Sequence, residues 1–509
     1  MKERKTIVII GGGISGLSAG IYAEQHGFHA IIAEKHFVPG GLCTAWERQG
    51  YKIDGCIHWL TGTKEGTLLN EMWKNLGAFQ SQDDLIYLPS WGQFDYEGTK
   101  VTFWRDLDRA EKEWKEISPV DSKRIHKFFN MVRDFCKVEL PLDLPMSMIP
   151  FGRLLKLGLK VLSIWPSYLL TMSKKTEDYA KKFKHPALRF AIENAQPGPG
   201  NLFSMIYSYS TVVIGDGGVP KGCSKTLVDN MAKRFEELGG TLLLNSPVNN
   251  VIVKNNTAVG IELKSGDKIY GDYVVACCDA NYTLNRLLLG QYKVKAIDKK
   301  VKKPETYPTP TCCFLAYGIS RKIAVETPYS FECEPFYVGG TEIKHITIRS
   351  FSYDPYFNKG ENTTLTVLLD QYNYNYDFYK KLRENPVEYR KYKEDLSKAV
   401  MSRIIRRFPE AKDSIVALDT ATPLTLTRYT NVTKGAYMGF LFTHNRPMFS
   451  HNGHVNGLKN FYLSGQWLQG PGGLPIAMTQ GKFAIQRICK KENLNYVFSP
   501  KRKKKNQNV

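Results

Sequence analysis

Apolar and polar positions along this chain change period several times, and the changes mark its elements. Ile7 to Ile10 is an unbroken β-branched run, the pattern of a strand buried on both faces of a parallel sheet. Helical spacing follows from Ser15 to about His26, and a second apolar run from His29 to Ala33 ends at Glu34. Thr6 to Glu34 therefore predicts strand, turn, helix and strand. Residues 51–60 read as a strand closed by the turn signal Asp54-Gly55. Residues 65–79 have helical periodicity, and 84–104 alternate as a hairpin in a mixed sheet. From about Arg109 to Lys184 the pattern is helical, and 196–222 reads as loop around an apolar middle.

The second half predicts a helix over 224–238 and a strand over 241–244. A strand pair follows, with turns at Asn255-Asn256 and Ser265-Gly266, then a strand from Tyr273 to Cys278. Between 300 and 420 lie three strand-like runs (TCCFLAYGI, ITIRSF and TLTVLLDQY) and a polar helix near 386–407. A short strand from Phe461 to Ser464, a loop over Gly470 to Gly473, and a helix starting at Leu474-Pro475 complete the pattern, with proline suited to the first turn.

One segment fits neither a core helix nor a surface helix. Phe151 to Met172 places Arg153, Lys156 and Lys160 on one face, while Leu154, Leu155, Leu162, Trp165 and Leu169 fill much of the rest. Pro166 predicts a kink or stop. Three cations near its start oppose spanning a bilayer, whereas lying in the interface suits the same residues; a lid helix packed on the protein's own core is the alternative.

Length and charge narrow the picture. At 509 residues, two interleaved domains are expected rather than one. The 70 Lys and Arg outnumber the 49 Asp and Glu, for a net charge of +21. Such a balance favours anionic partners. No nucleic-acid motif accompanies it, so nucleic acid is set aside and an anionic membrane surface is the expected partner. The basic tail 500–509, PKRKKKNQNV, reads as a solvated disordered run, with a tether to the same anionic surface as the alternative. The N-terminal apolar run is too short for a signal segment, and no stretch of about 20 apolar residues predicts a span. The ten cysteines include no C-x-x-C. Cys277-Cys278 and Cys312-Cys313 sit inside apolar runs and are expected to pack in the core. Reduced thiols, no metal site and a cytoplasmic, peripherally membrane-associated protein are the expectation.

The candidate chemistry starts at the first turn. Gly11, Gly13 and Gly16 have G-x-G-x-x-G spacing between a strand and a helix. That order lets a backbone approach a pyrophosphate at the helix N-terminus, where Ile14 and Ser15 present free N–H groups. Glu34, at the end of the second strand, can accept from both ribose hydroxyls, and its charge would repel a 2′-phosphate. Lys35 adjoins it. Gly40-Gly41, followed by Leu42, lies where an FAD would extend across the sheet. At the far end of the chain, Gly465, Gln466, Gly472, Gly473 and Leu474 precede a helix whose N-terminus can face the flavin pyrimidine. His58 is the titratable residue near neutral pH in the 51–60 strand. It is either an acid near the flavin or a structural hydrogen-bonding residue.

These blocks resemble the extended fingerprint of the two-dinucleotide-binding-domain flavoproteins. The run GGVPKGCSKTLVDNMAKRFEELGG and the strands after it are similar to the phytoene desaturases, carotenoid isomerases and retinol saturases. So is the ordered set Thr422-Pro423-Leu424-Thr425, Arg428-Tyr429 and Gly435-Ala436-Tyr437. The chain departs from that pattern at Gln466, where the family usually has aspartate, at Leu42, where a basic residue is common, and at Lys221-Gly222-Cys223.

The resemblance implies an α/β fold in which a Rossmann-like FAD-binding domain (1–80, 215–290 and 425–490) interleaves with a mixed α+β substrate domain (81–214 and 291–424). It places the backbone of Val248 against the adenine. It implies an FAD-dependent oxidoreductase that desaturates, saturates or isomerises carbon–carbon bonds of a long apolar polyene or isoprenoid by hydride transfer at flavin N5. The alternatives are a flavin amine oxidase and a non-catalytic prenyl carrier resembling GDP-dissociation inhibitors. Nothing in the sequence names the electron partner.

Overall fold

The computed structural model describes residues 4–496 except 140–141, 197–199, 322, 324, 359 and 442–448. The basic run 500–509 lies outside the described residues. Two sheets organise the molecule. The smaller is five-stranded and all parallel, in the order Thr241–Leu243, His29–Ala33, Thr6–Ile10, Tyr273–Ala276, Phe461–Leu463. Its central strand Thr6–Ile10 is paired on both sides, which is why every residue of Ile7 to Ile10 is apolar and buried. Helix Ile14–Gln25 packs beneath it against the last helix, Leu474–Lys491. Small residues set that spacing: a Cβ on Gly481 would lie 2.3 Å from the Ser15 carbonyl oxygen. Ser18 Oγ donates to the Met478 carbonyl at 2.8 Å across the same contact.

The larger sheet has seven strands. The order is Ile415–Ala421, Pro310–Ile319, Thr363–Tyr372, Thr341–Ser350, Tyr329–Val338, Ser90–Tyr96, Thr99–Trp104. It is mixed, because Tyr329–Val338 runs parallel to Ser90–Tyr96 while its other pairs are antiparallel. Helix Pro386–Arg407 covers it, burying Leu396, Val400 and Ile404 against Tyr317 and Leu369. A helical layer, Leu107–Ile117, Ser122–Phe135 and Leu202–Val213, closes around an aromatic centre in which Trp114 stacks on Phe128 at 5.2 Å.

Three sequence expectations change. The region 196–222 is not chiefly loop, since Leu202–Val213 is a helix capped by Asn201, whose Oδ1 accepts from Ser204 N. Its buried Leu202, Met205, Ile206 and Tyr209 have helical spacing, masked by interleaved serines and by flanking Gly and Pro. Strand Tyr329–Val338 was not anticipated because Pro335 and the two glutamates Glu332 and Glu334 interrupt it; a register break between Glu332 and Phe336 accommodates the proline. Cys277 and Cys278 are only partly buried and face a cavity, whereas Cys312 and Cys313 are buried in the large sheet. The strand carrying Cys277-Cys278 ends at Ala276, so the pair sits on the loop at its C-terminal edge.

Pro166 acts as its type predicts. Helix Phe151–Ser163 ends at Ile164, and a separate helix, Trp165–Met172, begins with the proline in its first turn.

Candidate functional site

A cavity of about 1980 Å³ lies between the carboxyl edge of the five-stranded sheet, one face of the seven-stranded sheet and the helical layer. Single-ligand pockets are typically about 300–1,000 Å³, so this volume has room for a dinucleotide and a long second molecule.

Its first wall is backbone. Gly11 has φ +97°, a conformation only glycine adopts without strain, and this turns the chain from strand into helix. Gly16 does not line the cavity. Instead a Cβ there would lie 1.9 Å from the Gly11 carbonyl oxygen, so Gly16 makes the turn possible. Gly13, Ile14 and Ser15 do line it. Helix Ile14–Gln25 starts at Gly13 with no side-chain cap and no acid in its first turn, leaving its N–H groups free. Gly40 N donates to the Gly12 carbonyl at 2.9 Å, which lays the second glycine pair, Gly40 and Gly41, against the first turn. Leu42 follows on the same wall.

Glu34 is buried at the lip of the same turn. Its Oε2 accepts from Gly12 N at 2.7 Å and its Oε1 from His36 N at 2.8 Å. Each oxygen keeps a second lone pair for the cavity. Beside it Lys35 is tied back, donating to the Arg428 carbonyl at 3.0 Å and to Asn431 Oδ1 at 2.9 Å, and burial pulls its amine down. Val248 opens strand Val248–Lys254 and lines the cavity next to Pro247 and Lys264.

The C-terminal block forms the opposite lip. Gly465, Gly472 and Gly473 all have positive φ, and helix Leu474–Lys491 starts at Gly473, again without a side-chain cap or an acid in its first turn. Leu474 lines the cavity. Gln466 is a brace: Nε2 donates to the Tyr437 carbonyl at 3.1 Å and Oε1 accepts from Gly473 N at 3.2 Å. Two uncapped N-termini of long helices therefore open on one cavity, and each attracts negative charge or electron-rich atoms.

His58 lines the cavity farther in. Burial, then the nearby Arg349 guanidinium, hold its imidazole well below the ordinary value. It is therefore a neutral imidazole at neutral pH, without the second ring proton of an imidazolium. Arg349 is itself spent on backbone, donating to the Ile57 carbonyl at 2.8 Å and the His58 carbonyl at 3.2 Å. Burial pushes both Cys277 and Cys278 up to about 12, so neither thiol is a ready nucleophile. Among the described residues no cluster of His, Cys, Asp and Glu could hold a metal ion.

The far end is apolar. Leu142, Leu157, Val161, Ile164, Tyr168 and Phe203 line it. Leu157 and Val161 come from the inner face of helix Phe151–Ser163, which buries no residue fully. Its outer face carries Phe151, Leu155, Leu159 and Leu162 at 80%, 56%, 58% and 59% exposure. Sequence reading found the outer leucines but not the inner stripe, because the i, i+4 pair Leu157 and Val161 is hidden in a helix apolar nearly all round. The helix is held at its base by Arg153, which donates two hydrogen bonds to Asp143 at 2.7 and 2.9 Å.

Residues 9–76 match the NAD(P)-binding Rossmann-like domain family. The chain is 28% identical over 311 residues to a lycopene-forming phytoene desaturase of Paracoccus sp., covering 58% of this chain and 60% of that one. It is 24% identical over 462 residues to the chloroplastic prolycopene isomerase of Daucus carota, covering 84% of this chain and 71% of the other. Thus the chain spans about 60% of the length of the desaturase it matches. In fold it is similar to an oxidoreductase from Methanosarcina mazei, with a TM-score of 0.59 at 13% identity over 94% of this chain and all of the other. A putrescine oxidase variant superposes with a TM-score of 0.57 at 13% identity, over 96% of this chain and 99% of the other. The fold is Rossmann-like with a mixed second sheet, and the chain resembles phytoene desaturases and prolycopene isomerases.

Proposed function

We propose that this protein is an FAD-dependent oxidoreductase acting on carbon–carbon bonds of a long apolar polyene. The observation that carries the reading is one continuous cavity, polar and glycine-built at one end and apolar at the other. The residues fit the dinucleotide. Gly11, Gly13, Ile14 and Ser15 would take its pyrophosphate on free helix N–H groups, with Gly40, Gly41 and Leu42 against its extended middle. Glu34 would hold the ribose and Val248 the adenine. Gly465, Gly472, Gly473 and Leu474 would meet the flavin ring, with Gln466 holding that loop in shape. In this reading the FAD domain comprises 1–80, 215–290 and 425–490.

When bound, the flavin supplies a site that takes or gives a hydride. The chain's own part is to bind, orient and keep water out. The apolar end gives a polyene no polar partner, so it is held by shape and burial, at about 25 cal/mol for each Å² removed from water.

The membrane part of the proposal rests on helix Phe151–Ser163. Its outer leucines are exposed while its inner leucine and valine line the cavity, so the helix would lie in the interface beside an entrance for an insoluble substrate. No helix among the described residues is long and apolar enough to cross a membrane. Lys156 and Lys160 would meet anionic headgroups. The test is product analysis after incubation with a panel of polyenes in vesicles, with and without a reductant. Conversion of none of them, by flavin-loaded protein, would reject the substrate class.

A further inference from the structure

We infer that Cys43 and Cys56 form a redox-active dithiol in the cavity wall, closed to a disulfide by exchange with a small disulfide oxidant and reopened by a small thiol. The pair flanks one hairpin. Strand Ala45–Arg48 pairs antiparallel with Tyr51–Asp54, and Ala45 stands opposite Asp54. Gly55 N donates to the Thr44 carbonyl at 3.0 Å, so the same register runs one residue further. The next opposed pair is Cys43 and Cys56. Directly opposed residues share a face, and their Cα atoms lie about 4.5–5.5 Å apart. A disulfide accepts Cα separations of about 4.4–6.8 Å. Closure therefore turns two side chains and leaves the backbone in place.

The surroundings agree with the register. Both residues line the cavity, Cys43 buried and Cys56 partly exposed, and both pack in one apolar cluster. The Cys56 thiol is the neighbour that weighs most on the Cys43 thiol; together with burial it holds that thiol well above the ordinary value. Each arm of the hairpin is also tied down. Cys43 N donates to the Gly40 carbonyl at 3.0 Å. Asp54 Oδ1 accepts from Cys56 N at 3.0 Å and from Ile57 N at 2.9 Å, and its Oδ2 accepts from Ser224 N at 2.7 Å. Cys312 and Cys313 offer no such pair, because neighbours on one strand point to opposite faces.

The chemistry balances as thiol–disulfide exchange. Cys56, the more exposed thiol, loses its proton and attacks one sulfur of the oxidant. The oxidant's S–S bond breaks, one small thiol leaves with a proton, and Cys56 carries the other half as a mixed disulfide. Cys43 then attacks the Cys56 sulfur and expels the second small thiol, which takes the Cys43 proton. Two protein thiols are oxidised, and one oxidant disulfide is reduced to two thiols.

Closure has a consequence for the glycine wall. Cys43 ends the turn that starts at Gly40 and Gly41, the second glycine pair of the proposed dinucleotide site. A bond to Cys56 ties that turn to the other arm of the hairpin, so the oxidised protein should release a bound dinucleotide more slowly. This consequence rests on the flavin reading, whereas the disulfide itself does not.

The test exposes the full-chain protein to oxidised glutathione, alkylates the remaining thiols and maps tryptic peptides by mass. Cleavage after Arg48 and Lys52 puts the two cysteines in separate peptides. Wild type should lose two of its ten thiols and yield one species joining the Cys43 and Cys56 peptides. Cys43→Ser should stop at a glutathione adduct on Cys56, and Cys56→Ser should give no joined peptide. Wild type that yields only adducts, or that joins either cysteine to another one, would overturn the pairing. The second readout is denaturant unfolding. Joined wild type should unfold at a higher midpoint than the same protein reduced with dithiothreitol, while Cys56→Ser shows one midpoint under both treatments. A lower midpoint for the joined form would contradict the opposed geometry. The third readout is the rate of FAD release, which should be slower from joined than from reduced wild type. Equal rates would overturn the effect on the glycine wall, and protein that takes up no FAD would overturn the flavin reading while the peptide map still decides the disulfide.

Discussion

At one end of the cavity the wall is main chain: positive-φ glycines, two open helix N-termini and a carboxylate fixed by two amides. At the other end it is side chain: leucine, valine and aromatic rings from helices, one of which is exposed along its outer face. The first end tolerates almost no change because backbone atoms approach each other closely there. The second end has no such constraint, since many apolar side chains fill a wall equally well. On the proposed reading, a fixed polar ligand at one end and a flexible apolar one at the other would leave these opposite signatures in one chain.

The sharpest way to break that comparison is Gly16→Val. Its Cβ would meet the Gly11 carbonyl oxygen at 1.9 Å, and backbone cannot yield cheaply. We expect loss of at least ~3 kcal/mol of stability and of flavin binding, measured by denaturant unfolding and bound absorbance. Wild-type stability would mean that the turn is looser than its geometry. Next comes Glu34→Ala. It removes a carboxylate that holds Gly12 N and His36 N and that would hold the ribose, at roughly 1.5–3 kcal/mol for each charge-assisted bond. FAD titration should show affinity falling by on the order of 100-fold, and unchanged affinity would remove Glu34 from the site.

The apolar end predicts the converse. Leu155→Glu with Leu162→Glu changes only the exposed face, so stability should move by no more than about 0.5 kcal/mol per site. Flotation with anionic vesicles should nevertheless be lost while flavin content stays. If wild-type protein ignores such vesicles at low salt, the membrane proposal fails. Leu157→Glu, on the inner face of the same helix, should leave flotation intact and impair polyene conversion.

The smallest effect concerns the base of that helix. Arg153 holds the buried Asp143 carboxyl below the ordinary carboxylate range against the opposing cost of burial. Stability from this pair is present above the ordinary carboxylate value and is lost as pH falls from there through the lowered folded value. Because Arg153 is partly exposed and screened, Arg153→Ala should cost about 1 kcal/mol at neutral pH. The difference from wild type should shrink on acidification in a thermal-unfolding series.

The same contrast decides what could be read from the chain alone. The glycine-built end was legible because each glycine answers a steric demand: Gly11 for its φ and Gly16 for a contact no side chain permits. The parallel strands were legible because burial on both faces writes continuous apolar runs. The apolar end was legible only on its outer face, where leucines beside lysines are anomalous. The inner stripe of Leu157 and Val161, the helix Leu202–Val213 and the cavity position of Cys277-Cys278 carry no anomaly in sequence, since a residue facing an apolar cavity looks like a core residue. His58, conspicuous in sequence, is held neutral by burial and Arg349.

The most direct test of the account is the absorption spectrum of purified, FAD-equilibrated protein, recorded without oxygen before and after a long polyene is added in anionic vesicles. The account predicts flavin bands in equimolar amount with protein, and their perturbation or bleaching when the polyene enters the same cavity. Protein that takes up no flavin, or whose bound flavin spectrum is untouched by every polyene offered, would contradict it.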